Sequence, residues 1–451
     1  MTSIGQAFYG ISFMITTMPF TNALWQTRNT LTRLTLTYNT YYEIQIHLSE
    51  ILFYCKNLEA LVLNSDDRFD WFIGYKEYPG GPHNALMDVE IIAPCTMGRG
   101  LKPLLQNCPK IRRLCLKECA SDVVITVNEL YNENLEIFAF NPGVEVTSLE
   151  EIDCEFYDGP PGLREIYYHN GGYGPPADSF LQLLQKNQAS LQRVYANMSL
   201  TKKQVEEFYP GYTPTYEQWY FERLEHLAFR PGTHDMTETR FLRSIESCTV
   251  SPLIHFAAVD TPNISMIINT LMKLPPLEDL KLSHMEYNDG YNNQRSSAMI
   301  QLFKSYAALP PLKQTFNTIW FEYCDFITEG VLDSLTQITT LKTVNFSGAC
   351  SVPSRESFRH FLQKVGHRLV EATLVDIDHV GDDVLSIICE MELLETVKLD
   401  KITEITEEGI KHLVDNTKAL RHLIIENCIT LSDDTVSYIT KKINHVQIVN
   451  K

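Results

Sequence analysis

The chain has 451 residues, 44% of them apolar, with 38 Lys and Arg against 56 Asp and Glu and a net charge of −18. That is enough apolar material for a core along the whole length. The acidic balance and the lack of any basic stretch of useful length argue against a nucleic-acid partner, and no run of 18 apolar residues is present to cross a membrane.

A strand template runs through the chain: apolar, two residues, apolar, one residue, apolar. It reads Leu31, Leu34, Leu36, then Leu58, Leu61, Leu63, and later Leu277, Leu280, Leu282, then Leu394, Val397, Leu399 and Leu420, Leu423, Ile425. In chain order, seventeen matches start at Phe8, Leu31, Leu58, Leu86, Ile111, Leu135, Leu163, Leu191, Leu224, Leu253, Leu277, Phe316, Leu341, Leu369, Leu394, Leu420 and Ile443. Most steps are 23 to 29 residues; two are longer, 33 from Leu191 to Leu224 and 39 from Leu277 to Phe316. This period and pattern resemble the leucine-rich repeat.

Between the strands, apolar residues fall at helical spacing, as at Ile46 to Cys55, Ala177 to Leu184 and Gly409 to Val414. Asp178 and Ser357 are the expected N-caps. One strand and one helix cannot bury both apolar faces alone, but stacked neighbours can. The resemblance therefore implies an α/β leucine-rich-repeat solenoid, a ribonuclease-inhibitor-like horseshoe, with parallel strands on the concave face and helices on the convex face. We expect a single solenoid over residues 1–451 with 16 to 17 repeats and a degenerate first repeat over 1–30. Three insertions, Asp66 to Asn84, Thr201 to Phe221 and Tyr287 to Gln294, are expected as loops.

From Phe316 to the end the text changes. Trp320 to Leu332 contains Cys324, Gly330 and Val331; the pattern recurs around Gly409 and Ile410, and again as Cys428 followed by Asp433 and Val436, with Cys119 and Cys350 in similar places after their strands. Residues 316–451 thus resemble the cysteine-containing subclass of leucine-rich repeats, as found in F-box proteins, especially fungal ones. That resemblance implies a substrate-recognition subunit of a cullin-RING ubiquitin ligase, with a protein substrate held by the repeats and a cullin-RING adaptor docked through an F-box. The F-box itself is not found in this chain: Leu274–Pro275 and Leu309–Pro310 are its Leu-Pro pairs, and both lie inside the array. Met1 to Thr27 carries no charged side chain, a poor cap for a repeat array, so a preceding domain or a covering partner is expected. The alternative reading is a non-ligase binding or regulatory protein without a ubiquitin role.

Catalytic chemistry is not legible. No Gly-rich phosphate loop, nucleophile elbow or HExxH motif occurs, so no enzyme, no catalytic residue and no cofactor is expected. Gly171 to Gly174 lacks the lysine of a P-loop and reads as a turn. Eleven cysteines are scattered without a disulfide framework, which points to a reducing compartment, cytoplasmic or nuclear. An uncharged segment around Ile11 to Ile15 has no basic flank and is interrupted before Pro19, unlike a signal peptide. Cys108, Cys115 and Cys119 lack metal spacing and read as buried apolar fillers. His226 and His255 are expected to stack on adjacent strands as interface residues rather than metal ligands. The glycosylation sequons at Asn197 and Asn345 fall on expected strands, and a third lies at Asn263.

Strand alternation turns the residues between the apolar positions away from the core. The expected partner-binding set on this face is Tyr167, His169, Arg193, Tyr195, His226, Arg230, His255, Lys281, Trp320, Glu322 and Tyr323, with Glu165, Asn197 and Asp279 among them. Tyr, Trp and Arg dominate binding hot spots. From Glu371 to Val436 there are 16 acidic and 5 basic residues. This reads either as a solvated surface aiding solubility or as steering of a basic partner. On the steering reading, Asp382, Asp383, Glu407 and Glu408 are expected to be reversible to Lys with little change in folding.

Overall fold

The computed structural model describes residues 25–38, 48–65, 81–93, 98–120, 122–130, 134–141, 160–170, 177–198, 221–230, 253–259, 261, 264–285, 292–348, 352–428 and 431–449. These gather into two compact units, residues 1–200 with 219–224, and 201–218 with 225–451.

Seven of the sixteen described strands belong to the first unit: β1 (Arg33–Tyr38), β2 (Ala60–Ser65), β3 (Asp88–Ile92), β4 (Arg113–Lys117), β5 (Ile137–Phe140), β6 (Glu165–Asn170) and β7 (Arg193–Met198). Nine belong to the second: β8 (His226–Arg230), β9 (His255–Val259), β10 (Asp279–Met285), β11 (Thr318–Cys324), β12 (Thr343–Ser347), β13 (Glu371–Val375), β14 (Thr396–Asp400), β15 (His422–Glu426) and β16 (His445–Val449). Within each unit every strand pairs in parallel with its sequence neighbour. Parallel pairing needs a crossover after every strand, and helices supply it in most repeats. This is the α/β leucine-rich-repeat solenoid class.

All sixteen strands begin two residues after a template start, from Leu31 and Arg33 to Ile443 and His445. The match at Phe8 lies outside the described residues. Register explains the template. Leu34 pairs Leu61, which pairs Val89, and Leu280 pairs Ile319, which pairs Val344. The second and fourth strand residues therefore line one face, and helices pack on it. Tyr168 of β6 stacks on Phe180 of helix Ala177–Lys186 at 4.3 Å. Phe346 of β12 meets Phe358 and Phe361 of helix Arg355–Val365 edge-on at 5.3 and 5.7 Å.

A residue with left-handed backbone ends many repeats' strands: Glu118, Asn141, Gly348, Asp376, Lys401 and Asn427 just after a strand, and His284 and Tyr323 one residue before the end of β10 and β11, with φ between 43° and 88°. It turns the chain off the sheet toward the helix layer. In the second unit its N–H donates to the next strand's end: Gly348 to Val375 O, Asp376 to Asp400 O, Lys401 to Glu426 O and Asn427 to Val449 O, at 2.8–2.9 Å. The next residue is the repeat cysteine in three cases. Cys119, Cys324 and Cys428 place Sγ 3.4, 3.5 and 3.3 Å from the carbonyl two residues earlier. The thiol thus pins the turn, which is why cysteine recurs there. Cys350 lies outside the described residues. The seven described cysteines form no disulfide.

Two expectations need correction. The cap of helix Arg355–Val365 is Ser354, whose Oγ accepts from the Ser357 N–H at 3.2 Å; Ser357 is the capped residue. Helix Ala177–Lys186 already includes Asp178, so that residue does not precede it. The extra length of the 39-residue step includes a 16-residue helix, Asn292–Ala307, and a Pro-bearing turn, Pro311–Lys313. Of the three insertions, residues 66–80, 201–220 and 287–291 lie outside the described set, as do Gly171 to Gly174 and Asn263.

Candidate functional site

The face opposite the core carries three rows of side chains in each unit, from the first, third and fifth strand positions. In the first unit these rows neutralise and bury one another. Arg113 is 9% exposed and grips Asp88 with two hydrogen bonds, 2.7 and 2.8 Å, across β3 and β4. Lys117 meets Glu90 at 2.7 Å, and Arg193 meets Glu165 at 3.4 Å. Cys115, Ala139 and Tyr167 of the middle row, with Ile137 of the first, form a small buried cluster, with Tyr195 against it. The rings of Tyr167 and Tyr195 stack at 4.8 Å and 9°. Tyr167 Oη donates to Glu165 Oε2 at 2.9 Å. Burial first, and the Glu165 carboxylate second, raise the Tyr167 phenol above its ordinary range. Cys115 is pushed up to about 12 by burial, so its thiol is not a nucleophile at neutral pH.

Tyr167 was expected to face a partner; at 6% exposure it is a packed side chain instead. Alternation did turn it away from the helix-side core, but Ala139 beside it in register, and Cys115 one strand further, are small enough to let it lie flat and be covered. His169 and Arg193 remain half-buried on the same face.

The second unit differs. On β8 and β9, His226 and His255 stack at 4.1 Å and 17°, as expected from the sequence. The His255 Nδ1 contacts Asp279 Oδ2 on β10. Burial would raise the Asp279 carboxyl, but hydrogen bonds from His255 and Thr318 outweigh it and hold the group below its ordinary value. Arg230 closes β8 on the same face, half-buried. No group of three or more His, Cys, Asp and Glu among the described residues is placed to hold a metal.

Trp320 stands at the middle of β11, paired with Lys281 on one side and Asn345 on the other. It is 36% exposed while its neighbours Ile319 and Phe321 are fully buried. The Lys281 Nζ sits 4.2 Å from the ring centroid, within cation–π range. Two residues on, Glu322 Oε2 accepts from Ser283 Oγ at 2.9 Å, and Oε1 lies 3.9 Å from His284 Nε2. Tyr323 occupies the left-handed position with φ 50°. Its ring lies across Gly348, where a Cβ would come within 2.5 Å of it. The ring also stacks on His284 at 5.1 Å, and Oη reaches Asp376 Oδ2 at 3.5 Å. A side chain at Gly348 would displace this ring, so the glycine and the tyrosine are one device.

Sequence reasoning found Lys281, Trp320, Glu322 and Tyr323 together, and register joins them. It missed His284, Asp376, Asp400 and Glu426. The signal was available: each occupies the fifth or sixth place of its repeat's strand, where Glu322 or Tyr323 stands. Over β10 to β15, including the left-handed rim, the carboxylates Asp279, Glu322, Glu371, Asp376, Asp400 and Glu426 oppose the ammonium groups Lys281, Lys398 and Lys401.

Outside this face, the acidic end is more structural than expected. Asp382 accepts from the Thr406 N–H at 2.9 Å and from Thr406 Oγ1 at 2.7 Å. Asp383 pairs with Arg355 and, at 3.4 Å, with Arg359. Hydrogen bonds from Thr435 and Ser432 lower the Glu407 carboxyl, which accepts from the Ser432 N–H at 2.6 Å. These carboxylates tie one helix start to the next repeat, so reversing them to Lys is expected to cost folding stability. Glu408, the fourth, is exposed. Gly409 belongs to the same device: a Cβ there would stand 2.0 Å from Asp382 Oδ1.

No family model and no curated protein matches the chain. Among solved structures it is similar to the yeast Rad7 and Elc1 complex, at 11% identity and TM-score 0.47, covering 96% of this chain and 81% of that one. It is also similar to the TLR13–ssRNA13 complex, at 13% identity and TM-score 0.42, covering 88% and 54%. A Leptospira interrogans LRR protein matches at 11% identity and TM-score 0.38, covering 95% and 97%.

Proposed function

We propose that this chain is a protein-interaction scaffold whose binding surface is the open sheet face of the second unit around Trp320. One observation carries this reading: a tryptophan at mid-sheet keeps 36% of its surface exposed between two fully buried neighbours. Full burial of such a ring removes roughly 150–250 Å² from water; about a third of that is still open to a partner, on a strand that holds it in place. Trp320→Ala should cost at least about 2 kcal/mol of partner binding, the usual hot-spot threshold.

Within that class we read the chain as the substrate-recognition subunit of an F-box-type ubiquitin ligase. The support is the cysteine-bearing repeat text over residues 316–451, with Cys324 and Cys428 in their turn-pinning positions. The alternative is a binding protein without a ubiquitin role. Affinity isolation of the full chain from cells, beside Trp320→Ala, tests both. We expect one set of captured proteins to vanish with the variant. An identical set with Trp320→Ala would remove the face, and a set that lacks a cullin adaptor would leave the non-ligase reading.

A further inference from the structure

The ring of Trp320 already holds a cation, the Lys281 ammonium at 4.2 Å. The face of an indole is the negative part of its quadrupole, so an arginine or lysine from a partner fits the same seat. Beyond the ring, Glu322, Asp376, Asp400 and Glu426 continue along one edge, at the ends of β11, β13, β14 and β15, with Ser347 of β12 between the first two. A carboxylate has about four acceptor sites, and these groups spend few of them internally: Asp376 on Tyr323, Asp400 on Asn427 at 3.0 Å, Glu426 on Lys398 at 2.8 Å and Gln447 at 3.1 Å. Carboxylates outnumber ammonium groups two to one on this face, so an acidic partner meets repulsion and a basic one does not. Five strand spacings of about 4.8 Å separate β10 from β15, roughly 24 Å, the span of about seven extended residues.

We propose that this face takes an extended basic segment of a protein partner, whose arginine or lysine displaces Lys281 from Trp320 while its other basic side chains reach the carboxylate edge. The inference rests on the reading of this face as the binding surface and supplies the partner's chemistry. It makes Lys281 a competitor for the seat, and that gives the test a sign. A random twelve-residue peptide display library is panned on the full chain. The enriched peptides are then measured by fluorescence anisotropy against wild type, Trp320→Ala, Lys281→Met and Glu322→Gln, each checked for an unchanged melting temperature.

Enrichment of Arg or Lys at intervals is expected. Trp320→Ala should weaken binding by about thirtyfold, Glu322→Gln by several-fold, and Lys281→Met should tighten it by about threefold or more. Enrichment of acidic or uncharged peptides overturns the inference. So does a Lys281→Met variant that binds equally or more weakly while Trp320→Ala still weakens; the face then stands and its basic partner falls. Binding untouched by Trp320→Ala removes the face itself.

Discussion

The two units show what one strand template can do with its outward positions. On β3 to β7 the open face closes on itself: Arg113 with Asp88, Lys117 with Glu90, and Tyr167 flat on Tyr195 over Cys115 and Ala139. On β10 to β15 the same positions leave Trp320 half-exposed, and carboxylates outnumber ammonium groups. The difference lies in which side chains meet in register. Opposite charges on neighbouring strands cancel, and small residues beside a tyrosine let it be covered. Trp320, between Lys281 and Asn345, meets only the Lys281 ammonium over its ring and keeps 36% of its surface exposed. A closed face stabilises its own sheet; an open one holds its interactions in reserve for a partner.

The strongest test of this contrast is Tyr167→Ala. It deletes a packed ring at 6% exposure and orphans part of the Glu165 network, so it should destabilise the first unit by about 3–5 kcal/mol. Chemical denaturation would read the loss, and a change below about 1 kcal/mol would break the claim that this face is closed.

Next in size is Gly409→Ala. Its Cβ must displace the Asp382 carboxylate and with it two bonds to Thr406. A loss of about 1–3 kcal/mol is expected, and Asp382→Lys should fall in the same range. Matching unfolding midpoints for wild type and both variants would return the acidic end to a solvated surface.

Trp320→Ala should cost less than about 1 kcal/mol of folding stability, since an exposed side chain leaves no cavity. A melting temperature lowered by several degrees would make Trp320 structural and dissolve the difference between the faces.

The smallest expected effect is at Asp279. Its folded carboxyl lies below the ordinary value near 3.9, because hydrogen bonds from His255 and Thr318 overcome the opposing effect of burial. The folded group binds its proton less readily than the unfolded one. Its stabilisation is therefore present above about pH 4 and is lost as pH falls through the lower folded value. Asp279→Asn should flatten that part of the acid limb when urea midpoints are compared between pH 5 and pH 2; an unchanged limb would show that the His255 contact does not stabilise the fold.

The strand positions were legible because the information is local. Two side chains per strand must enter the core, alternation has period two, and the template therefore marked each described strand from Leu31 to Ile443 at a constant offset. The same alternation correctly turned Trp320 and Lys281 outward. What lay beyond reach was every property set by a residue one repeat away. Tyr167 and Trp320 look alike in sequence, each an aromatic at the middle of a strand, and only Ala139 beside one and Lys281 beside the other separates a covered ring from an open one. Asp382 looks like a solvated acid until Thr406, 24 residues on, is placed against it. Tyr323 reads as one more strand residue until Gly348 on the following repeat makes room for its ring. By itself the sequence determined the repeat, its faces and its period, since these follow from burying apolar side chains along one chain. Tertiary structure decided which outward residues pair and which stay open, because that depends on partners brought into register by stacking about 25 residues apart.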